Sequence, residues 1–142
     1  MQNKNINLER RSEILLKHPN IFNLNLKLTE SLIPYFGFEC GDGWLNLIEE
    51  LCCELEKLLI KYPNIKEHFY TTQVKEKFAG LRFYVSCENR EIFDLIQEYE
   101  KKSYSICEHC GKPASKRVYG AWYYTLCDSC FNKLKKDKLK DI

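Results

Sequence analysis

The chain has 142 residues, 44% of them hydrophobic, with 22 Lys and Arg against 20 Asp and Glu. That length holds one ordinary domain, or a small domain with a metal-stapled appendix, and the composition excludes the disordered class. A net charge of +2 argues against a chain built throughout to bind polyanions, and no run approaches the roughly eighteen apolar residues of a membrane helix. Met1 to Asn5 leads into no apolar signal-peptide core. The expectation is therefore a cytoplasmic protein with reduced thiols and no membrane partner.

Residues 7 to 18 mix charged and apolar side chains so that Leu8, Ile14, Leu15 and the stem of Arg11 share one side, which predicts a short amphipathic helix ended by Pro19. The stretch from Phe22 to Leu28 alternates strictly and predicts a half-buried strand; a helix from about Asn25 to just before Pro34 is the alternative. Tyr35 to Trp44 packs three glycines into seven residues, Gly37, Gly41 and Gly43. Asp42 is placed there to cap the following helix, taking amides of its first turn that have no helical partner. In a second reading Glu39, Asp42 and Trp44 line a pocket.

From Trp44 to Lys61 the residues Trp44, Ile48, Leu51, Cys52, Leu55, Leu58 and Leu59 recur at helical spacing opposite a charged face, and Pro63 ends the pattern. His68 to Lys75 and Leu81 to Ser86 are β-prone and predict a hairpin turning at Phe78-Ala79-Gly80. Around that turn Lys75, Lys77 and Arg82 form a candidate anion contact, with both lysines on one strand face. Arg82 could instead pair with Glu39 or Asp42 to pin the glycine turn. Ile92, Leu95, Ile96 and Tyr99 then predict a helix over 89 to 104.

The last third carries the strongest motif, Cys107-Glu108-His109-Cys110 and Cys127-Asp128-Ser129-Cys130 with sixteen residues between. Two such pairs at this distance suit one tetrahedral Zn²⁺, because a two-residue spacer lets both sulfurs of a pair point at one centre. Four thiolates leave no open position for water, so the expected role of the single zinc is structural. Gly111 suits a backbone that turns amides toward sulfur, and Lys116 to Tyr119 with Trp122 to Leu126 predict a second hairpin. A lysine-rich helix follows, marked by Phe131, Leu134 and Leu139 and carrying Asp128 in its first turn. Knuckle, hairpin and helix resemble the treble-clef class of zinc fingers more than a flat zinc ribbon. From Cys107 onward eight Lys and Arg face four Asp and Glu, leaving fourteen against sixteen before it. Lys133, Lys135, Lys136 and Lys138 are a candidate polyanion contact, although such a run is more often a solvated helix face, and here Asp137 and Asp141 interrupt it.

Phe38 to Trp44, Gln73 to Tyr84 and Thr125 to Cys130 together resemble a family of small uncharacterised bacterial and phage-encoded proteins, over residues 38 to 130. The resemblance implies a shared architecture and no particular activity; in that pattern the position of Ala79 is usually glycine.

The expected fold is α+β, with a helical front domain over 1–106 that carries an antiparallel hairpin and a treble-clef-like, or zinc-ribbon-like, module over 107–142. Phosphate loops, nucleophile elbows and His-Glu-x-x-His helices are absent from the sequence. The leading functional expectation is a non-enzymatic, zinc-stabilised binding or adaptor protein whose partner is a protein. One alternative is nucleic-acid binding through the basic C-terminal helix with Tyr119, Trp122, Tyr123 and Tyr124. The other is a small-ligand site or enzyme with Glu39, Asp42, Lys75 and Arg82 in one pocket.

Overall fold

The computed structural model describes residues 6–140; Asp141, expected to interrupt the lysine run, lies outside them. Helix α1 runs from Leu8 to Lys17, and the side chain of Asn7 accepts the Arg10 amide at its start. Ile14 and Arg11 are buried on its inner side, but Leu8 is 66% exposed and does not share their face.

Neither a strand nor a helix forms between His18 and Ser31; the chain proceeds by turns. Ile21 and Phe22 are both buried although adjacent, while Leu24 and Leu28 stay largely exposed. Alternation predicts a strand only where a neighbouring strand uses the other half of the ladder. Here the Ile21 carbonyl accepts one amide, from Thr71, and the chain then turns away. The Asn25–Pro34 helix fails as well. Pro34 sits in the first turn of a short helix, α2, Ile33–Phe36, where a residue without an N–H costs nothing. Pro63 behaves alike: it opens α4, Pro63–His68, a few residues after the preceding helix has ended.

That preceding helix, α3, spans Leu45–Leu59 and follows a 3₁₀ turn over Asp42–Trp44. It buries Leu45, Leu47, Ile48, Leu51, Cys52, Leu55 and Leu59, each large side chain contributing roughly 1.5–3 kcal/mol by leaving water. Two further strands, β2 (Thr71–Lys77) and β3 (Gly80–Val85), form the predicted antiparallel hairpin. A two-residue strand β1, Phe38–Glu39, adds in parallel to the far side of β2, giving the order β1-β2-β3. Phe38, Val74 and Phe83 stand in register and face the core; Glu39, Lys75 and Arg82 stand in register one step along and face outward.

Helix α5, Arg90–Ser103, buries Ile92, Ile96 and Tyr99, and Asn89 caps it through the Ile92 amide. It also covers the edge of β3: Ser103 Oγ accepts the Leu81 amide and Glu100 accepts that of Phe83, each at 2.9 Å. An otherwise open strand edge is thereby satisfied. Burial pushes the Glu100 carboxyl above its usual range, against the opposing pull of the Phe83 amide. The chain closes with β4 (Ser115–Tyr119), β5 (Trp122–Leu126) and α6 (Asp128–Lys140), with β4 and β5 antiparallel. The main core draws on α1, α3, α5 and the three-stranded sheet. A second, smaller apolar cluster holds Cys107, Leu126, Cys127 and Leu134, with Phe131 and Tyr124 against them. No helix among the described residues is long and apolar enough to cross a membrane.

Candidate metal centre

The four cysteines arrive from three local structures. Cys107 and Cys110 bracket a tight turn closed by the Gly111 amide on the Cys107 carbonyl, with Gly111 at φ +84°, a conformation that favours glycine. Cys127 precedes α6 and Cys130 lies in its first turn. All four sulfurs lie within 4.8 Å of one another, and no other group of three or more such side chains gathers among the described residues. Cys110 Sγ and Cys127 Sγ are 3.6 Å apart, far beyond the ~2.05 Å of a disulfide. The arrangement can hold one metal ion. His109, within the first pair, is not part of it.

The backbone prepares the site for anionic sulfur. The Cys130 amide points at Cys127 Sγ from 3.4 Å and is the main cause that lowers the Cys127 thiol to about 7. Burial raises the thiols of Cys110 and Cys130. Four sulfurs this close resist joint ionisation unless a cation neutralises them, which a metal ion held there would do.

The glycine turn carries the centre. The Gly43 amide donates to the Glu108 carbonyl at 2.7 Å, the Gly41 amide to the Glu108 carboxylate at 2.9 Å, and Trp44 Nε1 to the Ile106 carbonyl at 2.8 Å. The approach is too close for any side chain at the two glycines. A Cβ on Gly43 would stand 2.0 Å from the Cys107 carbonyl oxygen, and one on Gly41 2.4 Å from that of Glu108. Burial in this seat pushes the Glu108 carboxyl up to about 7, against the stabilising pull of the Gly41 amide. From the other side Thr125 donates its hydroxyl to the Ala79 carbonyl at 2.6 Å, so the tip of the β2–β3 hairpin is tied to β5.

These contacts redirect several sequence expectations. Asp42 does not cap α3, which has no side-chain cap; its carboxylate accepts the Asn7 amide and the Arg11 guanidinium, at 2.7 and 3.0 Å. Arg11 rather than Arg82 pins the glycine turn, since it also donates to the carbonyls of Phe38 and Cys40, each at 2.6 Å. Trp44 lines no open pocket: it is fully buried. Glu39 accepts from Gln73, and Arg82 donates to the Leu81 carbonyl and the Tyr104 hydroxyl. Thus Glu39, Lys75 and Arg82 are neighbours across the sheet, and Asp42 faces Arg11 without a hydrogen bond or ion pair to any of them. On α6, Lys133 and Lys136 are exposed and Lys138 half-buried, and Lys135 lies 4.7 Å over the Phe131 ring, a cation–π contact. The tertiary roles of Arg11, Glu108 and Thr125 were not readable from the sequence. An arginine in an amphipathic helix, the variable residue of a Cys-x-x-Cys and a threonine in a strand carry no spacing signal.

No family model matches this chain, and neither a curated protein nor a solved structure matches it.

Proposed function

We propose that the protein is a binding or adaptor protein with no chemistry of its own at the metal, in which one structural Zn²⁺ on Cys107, Cys110, Cys127 and Cys130 holds a treble-clef-like module in shape. A tetrahedral zinc with Zn–S bonds of about 2.3 Å sets its sulfurs about 3.8 Å apart; the 3.6 Å between Cys110 and Cys127 suits that edge. The order of knuckle, hairpin β4–β5 and helix α6, with the second pair at the start of the helix, supports the treble-clef reading.

The partner we propose is a protein, and the observation that carries this is the far end of the β4–β5 hairpin. Trp122 is 70% exposed, and Val118 and Tyr123 are also exposed. Thr125 and Leu126, on the same strand, are buried against the rest of the molecule. One end of the hairpin is anchored; at the other, Val118 and Tyr123 are paired across the strands on the face that carries Lys116, whose ammonium lies 4.4 Å from the centre of the Tyr123 ring, and Trp122 stands on the opposite face. Trp and Tyr are among the residues most enriched at the centres of protein interfaces.

Two measurements test the reading. Elemental analysis of protein purified without chelator should give one zinc per chain, lost when Cys127→Ser and Cys130→Ser are combined; a ratio near zero in the native protein contradicts it. A tagged pull-down from the native host, read by mass spectrometry, should then enrich a protein that survives nuclease treatment and is lost with Trp122→Ser and Tyr123→Ser. Equal recovery by the variant refutes the hairpin as the docking surface.

A further inference from the structure

The outer face of the three-stranded sheet has a composition that the fold does not require. Lys75 and Arg82 stand directly opposite each other on β2 and β3, and Lys77 lies two residues along the same face, opposite Gly80. Like charges paired across strands destabilise a sheet. None of the three enters an ion pair among the described residues. The one carboxylate in their row, Glu39, is held by Gln73 Nε2 at 3.0 Å.

Aromatic rings lie among these cations. Tyr84, two residues from Arg82 on the same face, is 40% exposed. Tyr104 lies against Gly80, where a Cβ would meet its ring at 2.4 Å, and its hydroxyl accepts from Arg82 at 3.2 Å. At the tip of the hairpin Phe78 is 65% exposed at φ +52°, with the Lys77 ammonium 5.8 Å from its ring centre. A large residue in the left-handed region is an outlier. Glycine or asparagine would make the same two-residue turn without strain, and an exposed ring contributes little to the core. A strained, displayed phenylalanine beside unpaired cations is a feature the fold tolerates rather than needs.

From this arrangement we infer that the outer face of β2–β3, with Lys75, Lys77 and Arg82 on phosphates and Phe78, Tyr84 and Tyr104 against bases, binds single-stranded nucleic acid. Cations track a sugar-phosphate backbone, and a ring stacks on any base regardless of its identity. The rings favour this occupant over an acidic peptide, whose carboxylates need only the cations. Duplex is disfavoured for the same reason, because its bases are already stacked on one another. These residues are distinct from the exposed end of β4–β5, so a protein partner and a nucleic acid could be held by one chain.

The test uses the full zinc-loaded chain and a fluorescein-labelled 12-nucleotide single strand of mixed sequence, followed by anisotropy at two salt concentrations. Wild type should bind with a Kd in the range of about 10⁻⁶ M or tighter near physiological salt, better than the non-specific binding of any basic patch. Phe78→Gly should leave the melting temperature unchanged or raise it, since glycine relieves the turn, and should weaken binding roughly fivefold or more through the lost stacking. That pairing of a sound fold with lost affinity separates a binding role from a structural one. Lys75→Gln with Lys77→Gln should flatten the slope of log K against log salt by about 1.4, at roughly 0.7 per phosphate contact on a single strand. The inference is overturned by no anisotropy change up to about 100 μM protein, or by Phe78→Gly binding as tightly as wild type. It is equally overturned if duplex binds as well as single strand, if polyglutamate of matched charge competes as well as unlabelled oligonucleotide, or if Lys135→Gln with Lys136→Gln abolishes binding while the hairpin variants do not.

Discussion

Replacing Gly43 by alanine tests whether the metal module is seated on the glycine turn. The added Cβ would lie 2.0 Å from the Cys107 carbonyl oxygen and 2.6 Å from the carbonyl carbon and oxygen of Glu108, all of them backbone atoms. No rotamer change relieves such a contact, so the turn and the knuckle must separate. Overpacking of this kind costs about 1–3 kcal/mol. The separation also breaks the Gly43–Glu108 and Trp44–Ile106 hydrogen bonds, at about 0.5–1.5 kcal/mol each. The sum is about 2–6 kcal/mol, and at about 3 °C per kcal/mol for a chain of this size the midpoint should fall by about 6–18 °C. Differential scanning fluorimetry reads this directly. Zinc release to a chromogenic chelator should also be faster, because the Cys107 carbonyl is among the displaced atoms. Gly120→Ala is the control: nothing lies within 4 Å of its Cβ, so it carries only the strain of φ +62° and should leave zinc release unchanged. A Gly43→Ala protein that melts within about 2 °C of wild type and holds zinc as long would refute the seating.

Three further outcomes follow from the same contacts. Thr125→Val keeps the shape of the side chain but leaves the Ala79 carbonyl without its donor in a buried position, so denaturant unfolding should show a loss of about 1–3 kcal/mol with zinc content unchanged. Stripping zinc by chelation should open residues 107–142 to protease while a fragment ending near Tyr104 survives, since metal binding and folding are coupled in small four-thiolate modules; complete digestion would show one cooperative unit. The Arg10 guanidinium holds the Glu49 carboxyl below its usual range. Its contribution is therefore present above the unfolded carboxylate value, near 4.3, and is lost as pH falls through the lower folded value. Glu49→Gln should be less stable than wild type at pH 7, and the gap should close in acid melts; a gap that persists at low pH would exclude the ion pair as its source.

Several elements were legible in the residues themselves because their signals are local. The apolar recurrence read from Trp44 to Lys61, the helix read over 89 to 104 and the two hairpins each follow from spacing within one segment, and the structure has them as Leu45–Leu59, Arg90–Ser103 and two antiparallel strand pairs. The cluster of four cysteines follows from two short spacers. These patterns bury a face or gather sulfurs whatever the rest of the chain does, which is why sequence alone determines them.

Tertiary structure decided the rest, wherever a residue's role depends on a partner far along the chain. Phe22 to Leu28 alternates like a strand, yet no ladder is available and the segment turns. Strand β1 is two residues long and exists only because β2 lies beside it. Asp42, at a capping position by sequence, is drawn to Arg11, thirty-one residues upstream, because a buried guanidinium is costly without a carboxylate partner. Gly41 and Gly43, legible only as turn formers, prove to be the surface against which Glu108 and Cys107 rest. Spacing shows that four thiols can meet; only packing shows what holds them in place.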